Sequence, residues 1–300
     1  MSKPLDSAVL KADSANENPS QSVLVTGASS GIGLAIALCM AKAGWRVYAG
    51  VRQDKDAEHL IRVSDESLMP VFLDVTDSSA IDSVRAQIEH ETGNAGLTAL
   101  VNNAGIPLGG PLEFLGMERF RQQLEINVIG AMAVTQAFLP LLRKARGRIV
   151  TISSPYCRFS APFYGPYAAT KHAMLALNEA LRLELRPWDM PVIWIEASDV
   201  NTPIWGKVVK LMDEFETGAS QQTKELYGGV LALRSRFAQH GMPPERVAAV
   251  VEHVLQCRRP KPRYLVGWQA RGFALLNYLP TALRDRIIVA NLPKYGPDSK

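Results

Sequence analysis

At 300 residues, with 47% hydrophobic and 21% charged residues, the chain has the composition of a folded protein able to bury a large core. Its net charge of +4 is weak, and no basic run is interleaved with aromatics, so nucleic acid is not expected as a partner. Cys39, Cys157 and Cys257 are too few and too far apart for a disulfide framework, and the histidines lack metal-ligand spacing, so neither disulfides nor a metal is expected.

Residues 1–20 are rich in Ser and Asn and carry Lys3, Asp6, Lys11, Asp13 and Glu17. They read as a disordered leader, not a signal peptide, which with reduced thiols points to a cytoplasmic protein. Ser22 to Thr26 is a short apolar run ending in a glycine-rich turn, the pattern of a buried strand. A helix is expected from Leu34 to Lys42, stopped at Gly44. Strands follow at Arg46–Gly50 and Met69–Asp74, with helical pattern between them. Ser78 to His90 reads as a helix with Ser78 as N-cap. Leu97–Asn102 is a fourth strand, and Glu118 to Arg143 a long helix. Gly147–Ser153 is a fifth strand, Tyr167 to Leu185 a helix ended by Pro187, Pro191–Glu196 a sixth strand and Tyr264–Gly267 a seventh. No stretch approaches ~18 uncharged apolar residues, so no transmembrane span is expected.

Strands with apolar centres alternating with helices imply an α/β fold, a single doubly wound, Rossmann-type parallel sheet of about seven strands covered on both faces. The catalytic domain is expected over residues 21–270. Residues 203–243 break the rhythm and read as a lid, and 271–300 as a C-terminal extension packing on the domain or at an interface.

Two patterns carry chemistry. Gly27-x-x-x-Gly31-x-Gly33 follows a strand and opens a helix, where glycines let the backbone approach a pyrophosphate and the helix N-terminus offers free N–H groups. Tyr167 and Lys171 stand at i and i+4 and share a helix face. A phenol can pass a proton to or from an alcohol oxygen, and an adjacent ammonium lowers its pKa.

With Asp74, Asn102-Asn103-Ala104-Gly105, Asn127 and Ser154 in the same order and register, the chain resembles the short-chain dehydrogenases/reductases over roughly residues 22–270. The stretches Val134–Leu142, Leu181–Pro187 and Pro262–Tyr264 look most like the hydroxysteroid and retinol dehydrogenase branch. The resemblance implies that Asn127, Ser154, Tyr167 and Lys171 are catalytic: Tyr167 as acid or base, Lys171 orienting the ribose and lowering the Tyr167 pKa, Ser154 on the reacting oxygen, Asn127 holding a water that relays protons from Lys171. It implies a cofactor wall of Gly27, Ser29, Ser30, Gly31, Ile32, Gly33, Arg52, Asp74, Val75, Asn103, Ala104, Gly105, Tyr167, Lys171, Val200 and Thr202, with Asp74 on the adenine and Thr202 on the carboxamide.

Two departures from that family matter. The Pro-Gly that often follows the sixth strand is replaced within Glu196-Ala197-Ser198-Asp199-Val200-Asn201-Thr202, which should loosen the loop. The acidic residue of NAD-using members after the second strand is replaced by Arg52, whose guanidinium suits a 2′-phosphate. The expectation is therefore an NADP(H)-preferring oxidoreductase, with NAD(H) possible. It would interconvert a bulky, mostly apolar secondary alcohol and its ketone, given Ile106, Leu108, Pro155, Tyr156, Phe163, Tyr164, Trp205, Leu211, Met212 and Phe215. The alternative is a non-catalytic NADP(H)-binding sensor or scaffold on the same fold. Helices apolar on more than one face, as with Ala173, Leu175, Leu177, Leu181 and Leu185, together with the resemblance suggest a homodimer or homotetramer.

Overall fold

The structure is a computed structural model that describes residues 21–64, 67–218, 220–227 and 241–292. The expected leader, residues 228–240 of the expected lid and residues 293–300 lie outside the described residues. In chain order the elements are β1 (Ser22–Val25), α1 (Gly31–Lys42), β2 (Arg46–Val51), α2 (Asp54–Val63), β3 (Leu68–Phe72), α3 (Ser78–Thr92), β4 (Ala99–Asn102), α4 (Met117–Leu124), α5 (Ala131–Ala145), β5 (Arg148–Ser153), α6 (Gly165–Glu184), β6 (Val192–Ala197), α7 (Ile204–Gly218), α8 (Gln221–Tyr227), α9 (Glu245–Gln256), β7 (Arg263–Val266), α10 (Trp268–Leu276) and α11 (Thr281–Ala290).

The seven strands pair in parallel in the order β3-β2-β1-β4-β5-β6-β7. Successive side chains point to opposite faces. Val23, Val25, Val47 and Ala49 therefore join one core with Ile36 and Met40 of α1 and Val247 and Val251 of α9. Leu24, Tyr48 and Leu100 join the other, with Ile81 and Ile88 of α3 and Val134, Phe138 and Leu141 of α5. Both faces are covered, which explains strands apolar throughout instead of alternating. The strand order reverses between β1 and β4, and in such sheets a crevice opens there, beyond the carboxyl ends of the strands.

Several local expectations change. Ser78 does not cap α3; the Asp77 carboxylate does, accepting from the N–H groups of Ser79 and Ala80 at 2.9 and 3.2 Å. A carboxylate accepts both bonds and suits the positive end of the helix. α1 and α6 begin before the first apolar periodic residue, α6 with Pro166 in its first turn, where a missing N–H costs nothing. The long helix expected over 118–143 is interrupted: Glu125–Gly130 forms a π-helical turn between α4 and α5. Such a turn widens the helix by a residue and is frequent at functional sites. The whole run Met117–Ala145 is long and apolar enough to cross a membrane by length and composition alone, a test that the core helix of a folded domain also passes, so it is compatible with the absence of a span. Its apolar residues Val134, Phe138, Leu141 and Leu142 are buried against the sheet.

The segment after β6 is helical and tied to the body. Arg119 of α4 and Glu214 of α7 form an ion pair at 2.9 Å. The Tyr227 hydroxyl donates to Glu113 at 3.0 Å, and its ring meets Phe114 and Phe163 edge-on. The side chains of Leu211, Met212 and Phe215, expected to face a substrate, lie outside the described residues.

Candidate active site

A cavity of about 350 Å³ opens at the reversal point of the sheet. One end is built by the turn between β1 and α1. Gly27 and Gly31 have φ of 65° and 58°, a region that favours glycine. A Cβ on Gly33 would lie 2.3 Å from the Gly27 carbonyl oxygen, so only glycine lets helix and turn pack this closely. Gly33 itself does not line the cavity, although Gly27, Ser29, Ser30, Gly31 and Ile32 do. Ser30 makes no side-chain cap, so the first-turn N–H groups of α1 border the cavity without intrahelical partners.

Thr26 locks this turn to the end of β4. Its hydroxyl oxygen accepts from the N–H groups of Asn103 and Ala104, both at 3.0 Å, while the Asn103 amide donates to the carbonyls of Thr26 and Gly27 at 3.0 and 3.1 Å. Beyond it stand Asp74, Val75 and Arg52. The Arg52 guanidinium lies 4.0 Å from the Asp74 carboxylate, both largely solvated, and Asp74 accepts from the N–H and hydroxyl of Thr76 at 3.0 and 2.8 Å. Uncapped helix N–H groups, a glycine cradle and a guanidinium at one end fit a phosphorylated dinucleotide.

At the other end, Ser154 follows β5 and Tyr167 and Lys171 project from α6. The Ser154 side chain stands beside the Tyr167 phenol and favours its ionised form. Lys171 Nζ lies 5.4 Å from the centre of the Tyr167 ring, within cation–π range. Burial pushes the phenol up to about 12, against the lowering effect of Ser154. This reverses the expected lowering by Lys171: the ammonium stands over the ring, and removal from water dominates. Burial also brings Lys171 down to about 8.

Asn127 is buried behind the cavity wall, in the π-helical turn. Its Oδ1 accepts from Ile106 N–H at 2.8 Å, and its amide donates to the Ile106 carbonyl at 2.9 Å and to Thr170 Oγ1 at 3.2 Å. Its amide thus reaches Thr170, the neighbour of Lys171. The geometry makes Asn127 a clamp between the loop after β4 and α6.

The loop after β6 is held without Pro-Gly. Ser198 Oγ donates to the Val266 carbonyl at 3.3 Å and accepts from Ala270 N–H at 3.1 Å. Met242 N–H donates to the Asp199 carbonyl at 2.7 Å, Asn201 N–H donates to the Met242 carbonyl at 2.9 Å, and Trp205 Nε1 donates to the Val200 carbonyl at 2.8 Å. Strand and loop partners thus supply constraints where Pro-Gly is absent. Buried Glu196 adds another tie. It pairs with Arg158 at 2.9 Å and with Arg263, fixing the turn after Ser154 to β6 and β7. Val200 and Thr202 reach the cavity, as do Ile106, Leu108, Tyr156, Phe163, Tyr164, Trp205 and Phe273. Asp199 lines it too; the sequence reading passed over it, and its signal was the altered loop.

The short chain dehydrogenase family profile matches residues 21–212. The chain belongs to the short-chain dehydrogenase/reductase family. It is 33% identical over 92% of its length to the NADPH-dependent 3-dehydrocapnine reductase of Ornithobacterium rhinotracheale, covering 99% of that protein. It is 35% identical to retinol dehydrogenase 7 of Rattus norvegicus, over 89% of this chain and 87% of that one. To 17-beta-hydroxysteroid dehydrogenase type 6 of Bos taurus it is 34% identical, over 91% and 89% of the two chains. A solved short-chain dehydrogenase from Streptomyces avermitilis, 28% identical, superposes with a TM-score of 0.74 over 90% of this chain and 97% of that one. The resemblance to the hydroxysteroid and retinol dehydrogenase branch is borne out, and this short-chain dehydrogenase is an NAD(P)-dependent oxidoreductase.

In this dehydrogenase the drop of Lys171 from 10.5 to about 8 sets about 3 kcal/mol against the charged form in the fold. Between pH 8 and 10 the unfolded chain holds the Lys171 proton more tightly than the folded one, so this residue makes stability rise with pH there; below pH 8 its full cost is present. Lys171→Met should therefore raise the unfolding midpoint at pH 7 and remove that rise. Denaturant unfolding at pH 7, 8, 9 and 10 checks it; no stabilisation with an unchanged slope would contradict a buried ammonium.

Proposed function

We propose that this chain is an NADP(H)-dependent dehydrogenase/reductase interconverting a bulky, mostly apolar secondary alcohol and its ketone. The observation that carries the reading is that Ser154, Tyr167 and Lys171, with Lys171 over the Tyr167 ring, share the wall of the cavity that the glycine turn borders. The similarity to an NADPH-dependent reductase supports the cofactor choice.

When bound, NADP(H) supplies or accepts the hydride. The Ser154 hydroxyl and the Tyr167 phenol converge on one substrate oxygen, and both can donate to it as negative charge develops there. Burial keeps Tyr167 protonated at neutral pH, so the phenol is poised as the proton donor of ketone reduction. Lys171 holds a positive charge beside the ring and is the group on α6 able to bind ribose hydroxyls. Asn127 keeps α6 and the loop after β4 in register. At the far end Arg52 is the group for a 2′-phosphate, where it would exchange a partly solvated carboxylate partner for a doubly charged one.

The apolar substrate is supported by the wall of Ile106, Leu108, Phe163, Trp205 and Phe273. Each added methylene that enters such a wall is worth about 0.8 kcal/mol, or roughly fourfold in kcat/KM. Initial rates with NADPH and a homologous series of ketones should rise in that manner from small hydrophilic members to long-chain or steroid-sized ones. A flat or falling series would refute the substrate class.

Arg52→Ala should lower kcat/KM for NADPH by about 10–100-fold, the scale of a charged hydrogen-bonded pair, and affect NADH far less. Equal losses for both cofactors, or a wild-type preference for NADH, would remove the NADP(H) assignment.

A further inference from the structure

Gln123 is the one residue of α4 that is buried, at 0% exposure, and the reaction outlined above gives it no task. An amide removed from water costs free energy unless its groups are hydrogen-bonded. Here Nε2 donates to the Ile106 carbonyl at 3.2 Å, while Oε1 is buried and accepts no hydrogen bond among the described residues. An apolar side chain of similar volume would fill the space without that cost. The amide is therefore to be explained by what Nε2 holds.

What it holds is a wall of the cavity. Residues 105–111 all line the cavity, and three of the seven are glycine, so the segment has little stiffness of its own. It is tied down at Gly110, whose N–H donates to the Phe163 carbonyl at 2.7 Å, and at Ile106. Asn127 clasps Ile106 by both backbone groups, accepting from its N–H at 2.8 Å and donating to its carbonyl at 2.9 Å. Gln123 stands four residues before Asn127 and donates to that same carbonyl, so two amides from one helical run converge on one oxygen. A single bond is enough to satisfy a buried carbonyl; a second, on its other lone pair, fixes the direction in which it points.

We propose that Gln123 is a positioning residue for substrate specificity: by holding the Ile106 carbonyl from α4 it fixes the apolar wall, so that the preference for a long ketone over a short one depends on an amide behind that wall. The inference rests on the reductase reading of the site and adds to it the residue that sets the substrate wall.

The test is Gln123→Met, which keeps the volume and removes the amide. The readout is the ratio of kcat/KM for 2-decanone to that for 2-butanone, each with NADPH and the full chain. The ratio should fall about 3–10-fold, the scale of one hydrogen bond, through a higher KM for 2-decanone. NADPH affinity and the unfolding midpoint should stay at their wild-type values, because Asn127 still satisfies the Ile106 carbonyl. In an Ile106→Ala background the same substitution should lower the ratio no further, since Gln123 acts through Ile106. An unchanged ratio, an equal loss for both ketones, or the same loss again in the Ile106→Ala background would overturn the proposal and leave the reductase reading standing. Should Gln123→Met fail to fold, Gln123→Leu carries the same measurement; failure of both to fold would make Gln123 a residue of the fold alone and overturn the proposal. If the wild type consumes neither ketone, it is the reductase reading that fails, and calorimetry of 2-decanone on the NADPH complex decides the role of Gln123. Binding about 3–10-fold tighter in the wild type than in Gln123→Met upholds it; equal binding, or none, overturns it.

Discussion

Two groups that prefer water, the Tyr167 phenol and the Lys171 ammonium, stand half-buried side by side on the cavity wall, and the rest of the site is arranged around that constraint. Burial alone drives the pair towards neutrality, the phenol up to about 12 and the ammonium down to about 8. A side chain left there without support would turn away or take in solvent. It is held because α6 is anchored on its other sides: Thr170 to Asn127, Asn178 to Thr151 of β5, and Leu181 in the core. Ser154 then opposes the effect of burial on the phenol, at the atom that exchanges a proton in the proposed reaction.

The same logic extends outward from Ser154. The residue sits at the end of a strand, where a side chain is free to project into the crevice, but a strand end is also where the chain is free to move. The turn that follows is restrained by Arg158 and Arg263 on the buried Glu196 carboxylate. Buried ion pairs of this kind contribute little net stability, since desolvation offsets the attraction. Their value here is geometric: they connect β6, β7 and the turn after Ser154 across the edge of the cavity. At the opposite end Thr26 does comparable work with neutral hydrogen bonds, tying the glycine turn to Asn103 and Ala104.

Much of this was legible in the sequence. The strands announced themselves because each is buried on both faces, so that apolar runs such as Ser22–Val25 and Val192–Ala197 were bounded by glycine, proline or polar residues. The glycine turn, Ser154 and the Tyr167–Lys171 pair could be read because their chemistry demands particular residue types at fixed spacing. What could not be read was set by tertiary contacts. The π-helical turn at Asn127 depends on partners 21 and 43 residues away. The direction of the Tyr167 shift depends on how much solvent reaches the phenol, which spacing along a helix does not encode. The bonds that hold the loop at Asp199 come from Met242 and the end of β7, partners that the local sequence does not reveal.

The central claim is that the half-buried Tyr167 phenol is the proton-transferring group, and Tyr167→Phe tests it most directly because it removes one oxygen and leaves the ring that Lys171 stands over. Steady-state reduction of an apolar ketone, measured alongside NADPH binding by fluorescence, separates chemistry from cofactor affinity. The account predicts a loss of about 10²–10⁴-fold in kcat with NADPH affinity kept within a few-fold. Retention of more than a few per cent of turnover in Tyr167→Phe would contradict it.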